Sequence, residues 1–365
     1  MVNESGELVG VTECRLEPLQ KGHVYMMHMS RGLLQEKARQ QGAAGYKLHL
    51  IVTSHDGEII PGKLRYQWAQ KTFGGDPNIV VHSGHNSLEV LGYGNDYSGD
   101  RYTKDWDFWG EVATKMCGLG DTVDYFFGSE GYVDGIARAC GAEPIEIDED
   151  REAMRVSGTI MREHPHFKWE YFPDAVKPYF AKKVCITGAP FTGKADLVRN
   201  LAEDFSTVKV VDQSSKVYNP LERTCTRAEL EKIAMLHQVT ADALLEQANK
   251  VIICDSDALL TRLWYEKIFT DAPERIKELS NIQRFDLYVL TDSANMNFRE
   301  SNTFKSADEW HAFTQTIKGA LEERGWPYVT LDSHQKAKRH TNAVNAINDL
   351  RWITEGKNKM RWMQR

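Results

Sequence analysis

Two stretches combine residue types and spacings suited to chemistry on phosphates. In the first, Gly188-Ala-Pro-Phe-Thr-Gly193-Lys194-Ala195 follows the apolar run KKVCITG and opens the helical pattern KADLVRNLAEDF. A glycine-rich turn between strand and helix presents backbone N–H groups that wrap phosphate oxygens, and a lysine at its end reaches the outer ones. Gly188, Thr192, Gly193 and Lys194 are therefore candidate nucleotide-binding residues. The hydroxyl that usually follows the lysine and ligates Mg²⁺ is absent, because that position is Ala195. Thr192 is close by but stands at a different place in the loop. Further on, VIICDSD ends an apolar strand with Asp255 and Asp257. Carboxylates at that place suit a metal, assigned here to Asp255, or a substrate hydroxyl; capping of a turn is the plainer alternative.

The second stretch lies near the start. Arg15-Leu-Glu-Pro-Leu-Gln20-Lys21-Gly22-His23 joins a strand-like run to the helical pattern VYMMHMSRGLL. The N–H groups of a helix start can cradle a triphosphate, and an imidazole there can hydrogen-bond the phosphate under attack. A capped helix with a surface histidine has the same local sequence. Val156-Ser157-Gly158-Thr159-Ile160-Met161-Arg162-Glu163-His164-Pro165 adds a second element. Ser157 is placed to cap a one-turn helix ended by Pro165, which would aim hydroxyls, N–H groups and Arg162 at one phosphate cluster.

The elements that must position these residues are legible as alternation. LVGVTEC, KLHLIVTS, NIVVHSG, TVDYFFGS and EPIEID are separated by segments of helical length, and KKVCITG, TVKVVD, KVIICDSD, FDLYVLTD and YVTLD repeat the plan. That pattern predicts two α/β domains, each with a parallel sheet. A chain of 365 residues suits two cores of ordinary size. HPHFKWEYFPDAVKPYF, with prolines at 165, 173 and 178, sets the expected boundary near residue 180, giving domains 1–180 and 181–365. The segment from Ser333 to Arg365 reads as a charged closing helix.

Composition narrows the partners. The 41% hydrophobic and 27% charged residues match an ordinary globular chain. The net charge of -7 is spread along the chain without a basic stripe, which argues against nucleic acid. No apolar run is long enough for a membrane helix, and MVNESGELVG lacks the plan of a signal peptide, so the expectation is a cytoplasmic protein with no membrane partner. Six dispersed cysteines, without a CxxC pair or a nearby histidine set, read as reduced and mostly buried thiols. Homo-oligomerisation stays open.

PLxxGH, SGTxxRE, GKLRYQWAQKTF, DWDFWGEV and FFGSEGYVDGIA together resemble the nucleotidyltransferase domain of NadR-type proteins, and the similarity continues through YFPDAVKPYF into the second domain. These proteins join a nicotinamide mononucleotide adenylyltransferase to a ribosylnicotinamide kinase. The resemblance implies a Rossmann-like nucleotidyltransferase domain followed by a P-loop kinase-like domain, with ATP and Mg²⁺ as cofactors. It implies adenylyl transfer from ATP to nicotinamide mononucleotide in front and phosphorylation of nicotinamide riboside behind. His23, Arg162 and Ser157 would meet the ATP phosphates, together with Gln20, Lys21, Gly22 and Thr159; Arg65 would help on the substrate side. Trp106 and Trp109 match positions where this family stacks aromatic rings near the nicotinamide, although tryptophans three apart on a helix also anchor cores.

The family's first motif is HxGH, and Gln20 replaces its first histidine. Glutamine donates a hydrogen bond but carries no charge, so part of the transition-state stabilisation would be lost unless Lys21 supplies it. In the second domain, TDSANMNFRES resembles the family's arginine-bearing lid, making Arg299 a candidate at the γ-phosphate. The family's acidic-aromatic-arginine segment is replaced by Asp212-Gln213-Ser214-Ser215-Lys216, of which only Asp212 keeps the character of a substrate contact. Two alternatives therefore stand beside the bifunctional enzyme. One is a monofunctional adenylyltransferase with a degenerate kinase domain, and the other is a catalytically weak sensor of ATP or NAD. The first strand-like run begins within about ten residues of Met1, so no helix-turn-helix domain and no repressor role are expected.

Overall fold

The computed structural model of the chain describes residues 6–119, 123–148, 152–218 and 225–357. It divides into two compact units, the first reaching Val176 and the second running from Lys177 to Gly356.

The first unit follows the alternation read from the sequence. Its elements are β1 (Glu7–Cys14), α1 (Lys21–Gln41), β2 (Gly45–Ser54), α2 (Gly62–Phe73), β3 (Ile79–His85), α3 (Ser87–Val90), α4 (Asp100–Lys104), α5 (Trp106–Lys115), β4 (Tyr125–Gly128), α6 (Val133–Ala139), β5 (Glu143–Glu146) and α7 (Gly158–Glu163). The sheet order is β3-β2-β1-β4-β5 and every pairing is parallel. β1 and β2 are buried along nearly their whole length because both sheet faces are covered, which is why they read as continuous apolar runs. EPIEID yields only the four-residue β5 at the sheet edge, where pairing comes from one side. Gly10 sits at the middle of β1, and a Cβ there would lie 2.7 Å from Phe127 and 2.9 Å from Leu34. Absence of a side chain lets α1 and β4 close on the strand that leads to the first motif.

The second unit contains α8 (Lys177–Phe180), β6 (Lys182–Gly188), α9 (Lys194–Asp204), β7 (Lys209–Val210), α10 (Arg227–Leu245), β8 (Val251–Asp255), α11 (Ala258–Phe269), α12 (Glu274–Ile282), β9 (Leu287–Thr291), α13 (Ala307–Glu323), β10 (Tyr328–Leu331) and α14 (Lys336–Lys357). Its parallel sheet has the order β10-β9-β6-β8-β7. TVKVVD forms only the two-residue edge strand β7. α10 begins with a reciprocal cap between Thr226 and Glu229, and its Leu230, Ile233, Ala234, His237 and Ala241 form one buried stripe. The expected closing helix is α14; residues 358–365 of that expectation lie outside the described residues.

In both sheets the chain turns back across a central strand, β1 in one and β6 in the other. Ligands of open parallel sheets bind beyond the strand C-termini at such reversals. Both sequence motifs follow those two strands. Among the described residues no helix is long and apolar enough to cross a membrane. None of the six cysteines is in a disulfide, and Cys140, Cys185, Cys225 and Cys254 are buried.

Candidate functional sites

A cavity of about 740 Å³ opens beyond the C-terminal ends of β1 and β4. Glu13 and Cys14 contribute from β1, Ser129 and Glu130 from the turn after β4, and Gln20, Gly22 and His23 from the start of α1. Ser157, Thr159 and Arg162 reach it from α7. The two sequence segments are thus brought to one cavity. Ser157 caps α7 as its sequence predicts, its hydroxyl accepting from Ile160 N at 3.3 Å. Gly158 passes close to the preceding turn: a Cβ there would lie 2.7 Å from the Glu17 carbonyl oxygen. Arg162 donates to that same carbonyl through Nη1 and to Thr159 Oγ1 at 3.4 Å through Nη2.

Gln20 departs from the expected phosphate contact. Its Oε1 accepts from Gly22 N at 2.8 Å and its Nε2 donates to Val156 O at 3.4 Å, while its own N–H donates to His23 Nδ1 at 3.2 Å. The side chain caps α1 and ties it to the segment leading into α7. Its amide is used within the protein, as expected of a buried polar group that must be satisfied. Lys21 is exposed and does not line the cavity.

Trp106 and Trp109 both reach the cavity. Trp106 lies against Gly135, where a Cβ would come within 2.7 Å of the indole, and is 42% exposed, leaving ring surface for a ligand. Trp109 packs 5.0 Å from Tyr102 and 5.2 Å from Phe108, ring to ring, and donates from Nε1 to Tyr102 O at 2.9 Å. It is half anchor and half lining.

Arg65 is the clearest correction. It is fully buried and outside the cavity, donating to Arg15 O at 2.6 Å and pairing with Glu58. It is not placed as a substrate contact, because position 65 falls on the inward stripe of α2 with Trp68 and Ala69. Its role is to hold the backbone just after β1. Sequence reading also passed over Glu13, which is buried in the cavity wall with Oε1 unpartnered. Burial pushes its carboxyl well above the usual range. The signal was present as the lone carboxylate in LVGVTEC.

The second cavity, about 580 Å³, lies beside the glycine-rich loop and is lined by Phe191, Lys194, Asp212, His237 and Arg299 among others. Gly188 (φ 146°) and Gly193 (φ 84°) hold backbone conformations that side chains disfavour. Lys194 folds back onto Ala189 O at 3.0 Å, and the Arg299 guanidinium lies 5.2 Å over the Phe191 ring. Asp212 accepts from Ser214 N and Oγ at 2.9 and 2.6 Å.

Asp255 is buried at the end of β8. Burial raises its carboxyl to about 6, with Lys194 pulling it partly back. Asp257 does something different. It caps α11 by accepting from Leu260 N at 2.8 Å and accepts from Tyr288 Oη at 3.1 Å, wholly buried and away from the cavity. Asp255 is also buried and outside the cavity lining; what sets it apart from Asp257 is that the Lys194 charge acts on its carboxyl. Thr192 is likewise turned inward, donating to Ala189 O at 2.8 Å and lying 2.6 Å from Thr291 Oγ1. It therefore does not replace the hydroxyl missing at Ala195. His237 was not foreseen: buried on α10, it stands 3.7 Å from Asp212, and burial lowers its imidazole to about 4 against the opposing pull of that carboxylate.

Comparison with known proteins supports the two-unit reading. Residues 183–339 match a family model described as an AAA domain. The trifunctional NAD biosynthesis/regulator protein NadR of Escherichia coli K12 is 25% identical over 94% of this chain and 83% of its own length. Its counterpart from Salmonella typhimurium LT2 is 26% identical over the same shares. A solved NadR structure in complex with NR superposes with a TM-score of 0.73 at 19% identity, covering 96% of this chain and 98% of that one. A second, with NAD and AMP-PNP, gives 0.73 at 18% identity over 95% and 97%. Over nearly its whole length, and through both units in the same order along the chain, this protein is NadR-like in sequence and in fold.

Proposed function

We propose that the first unit transfers AMP from ATP to nicotinamide mononucleotide, forming NAD and pyrophosphate, and that the second unit phosphorylates nicotinamide riboside with ATP. The observation that carries the front reading is the convergence, in one cavity, of His23 from α1, Thr159 and Arg162 from α7 and Trp106 from α5. A dinucleotide product needs a phosphate end and an aromatic end, and this cavity has both. The substrate phosphate oxygen attacks the α-phosphorus of ATP and the bond to the β-phosphate bridging oxygen breaks, so no covalent enzyme intermediate is required. His23 supplies a hydrogen bond from its other ring nitrogen, and Arg162 supplies hydrogen bonds and positive charge to the phosphate oxygens. Positioning and charge neutralisation carry the rate.

In the second unit Lys194 and Arg299 face the phosphates, and Asp212 faces the substrate hydroxyl with His237 behind it. Asp255, at the end of β8 and under the influence of the Lys194 charge, would be the protein carboxylate that holds Mg²⁺. When bound, the ion neutralises charge on the β- and γ-phosphate oxygens. Ala195 and the inward-turned Thr192 offer no second ligand, which favours a slower kinase than adenylyltransferase.

Incubation with ATP, Mg²⁺ and either the mononucleotide or the riboside, following NAD and ADP by chromatography, tests this directly. NAD from both substrates is the expected result. NAD from the mononucleotide alone would restrict catalysis to the first unit, and ATP binding without either product would leave a nucleotide sensor.

A further inference from the structure

Away from both cavities, three metal-ligating side chains that are far apart in sequence meet beneath α5. His49 lies on β2, His82 on β3, and Cys117 two residues beyond the end of α5. The β2–β3 register pairs Ile51 with His82, so His49, Ile51 and His82 share one sheet face. That face belongs to the core of Phe108 and Val112 on α5, against which Cys117 packs. One nitrogen from each imidazole and the Cys117 sulfur lie within 4.8 Å of one another. His49 Nδ1 is 2.8 Å from His82 Nε2, with the rings stacked at 5.0 Å. None of the three lines the nucleotide cavity.

We propose that His49, His82 and Cys117 form a binding site for a thiophilic d¹⁰ cation, Zn²⁺, with an exchangeable fourth position. Zn²⁺ takes imidazole nitrogen at about 2.0–2.1 Å and thiolate sulfur at about 2.3 Å in tetrahedral geometry, which sets the ligand atoms roughly 3.3–3.8 Å apart. The two nitrogens must separate by about half an ångström and the sulfur must close by at most about one, which side-chain rotation supplies. Mixed imidazole and thiolate donors select Zn²⁺ over hard cations such as Mg²⁺, so the site does not compete for the metal of the nucleotide chemistry. Burial keeps both imidazoles below their ordinary range and hence neutral, and it holds the Cys117 thiol up at about 12. Binding therefore exchanges the imidazole hydrogen bond for two metal bonds, with the proton of the donating ring shifting to its other nitrogen, and expels the thiol proton to solvent. His82 and Cys117 are only half-buried, which leaves an entry path. The ion would pin the end of α5, the helix that carries Trp106 and Trp109 to the front cavity.

The test is Co²⁺ titration of the metal-stripped full chain, read by absorption. Tetrahedral Co²⁺ with a thiolate gives intense visible bands and a near-ultraviolet charge-transfer band that hydrated Co²⁺ lacks. The expected result is one ion per chain, release of one proton, and displacement by Zn²⁺. Cys117→Ala should remove the charge-transfer band with the circular dichroism unchanged, and His82→Gln should weaken affinity at least about tenfold, since even outer-shell changes at metal sites cost that much. Absence of tetrahedral bands in the wild type, or their persistence in Cys117→Ala, overturns the proposal.

Discussion

Asp255 and Asp257 show how two identical side chains two positions apart divide between chemistry and architecture. Asp257 Oδ1 caps α11 and Oδ2 receives the Tyr288 hydroxyl. Asp257→Ala should therefore destabilise the protein by about 2–3 kcal/mol, combining a lost cap with an orphaned buried hydroxyl, while the folded fraction still binds ATP. Thermal unfolding and nucleotide titration of the same sample separate the two effects. Asp255 should behave in the opposite way. Burial raises its carboxyl from 3.8 to about 6, so the fold favours its protonated form and the stability it contributes is lost as pH rises from 3.8 through about 6. Asp255→Asn should be the more stable protein above that window, by up to a few kcal/mol. The wild type should bind Mg²⁺–ATP more weakly as pH falls through about 6, and that pH dependence should disappear in Asp255→Asn. An unchanged profile in the variant would remove Asp255 from the metal site.

At the scale of elements, the first site depends on how closely α7 approaches the turn after β1. Gly158 permits it, since a Cβ would meet the Glu17 carbonyl oxygen at 2.7 Å and the Arg162 guanidinium at 3.2 Å. Gly158→Ala should displace α7 with little loss of stability and lower adenylyl transfer by roughly tenfold to a hundredfold, because misplacement by an ångström is enough to disturb a positioned phosphate. Steady-state kinetics with the mononucleotide, set beside thermal unfolding, checks this; a normal rate would mean that the approach of α7 is immaterial. Gln20 belongs to the same contact. Its amide caps α1 and joins it to Val156, in the segment that leads into α7.

On the scale of the whole molecule, each unit has its own sheet, core and cavity. The two proposed activities should therefore be separable by single substitutions. Arg162→Ala should lower NAD formation from the mononucleotide by about a hundredfold or more and leave ADP release with the riboside unchanged. Lys194→Ala should do the reverse. Loss of both reactions in either variant would show that the units do not work independently.

The strands, the parallel α/β class, the glycine-rich loop and the Ser157 cap were all legible in the sequence, because each depends on neighbours within a few residues. Apolar periodicity, glycine at strained turns and a hydroxyl before a helix are local signals. The inward turn of Arg65 and Thr192, the capping role of Asp257 and the pairing of His237 with Asp212 were decided only by tertiary structure. So was the meeting of His49, His82 and Cys117. In each case the partner comes from a different element, and the register of β2 on β3 or the rotation of α2 and α10 about their axes chooses which side chains face one another. Residue type shows what a side chain can bond to, and packing decides which partner it finds.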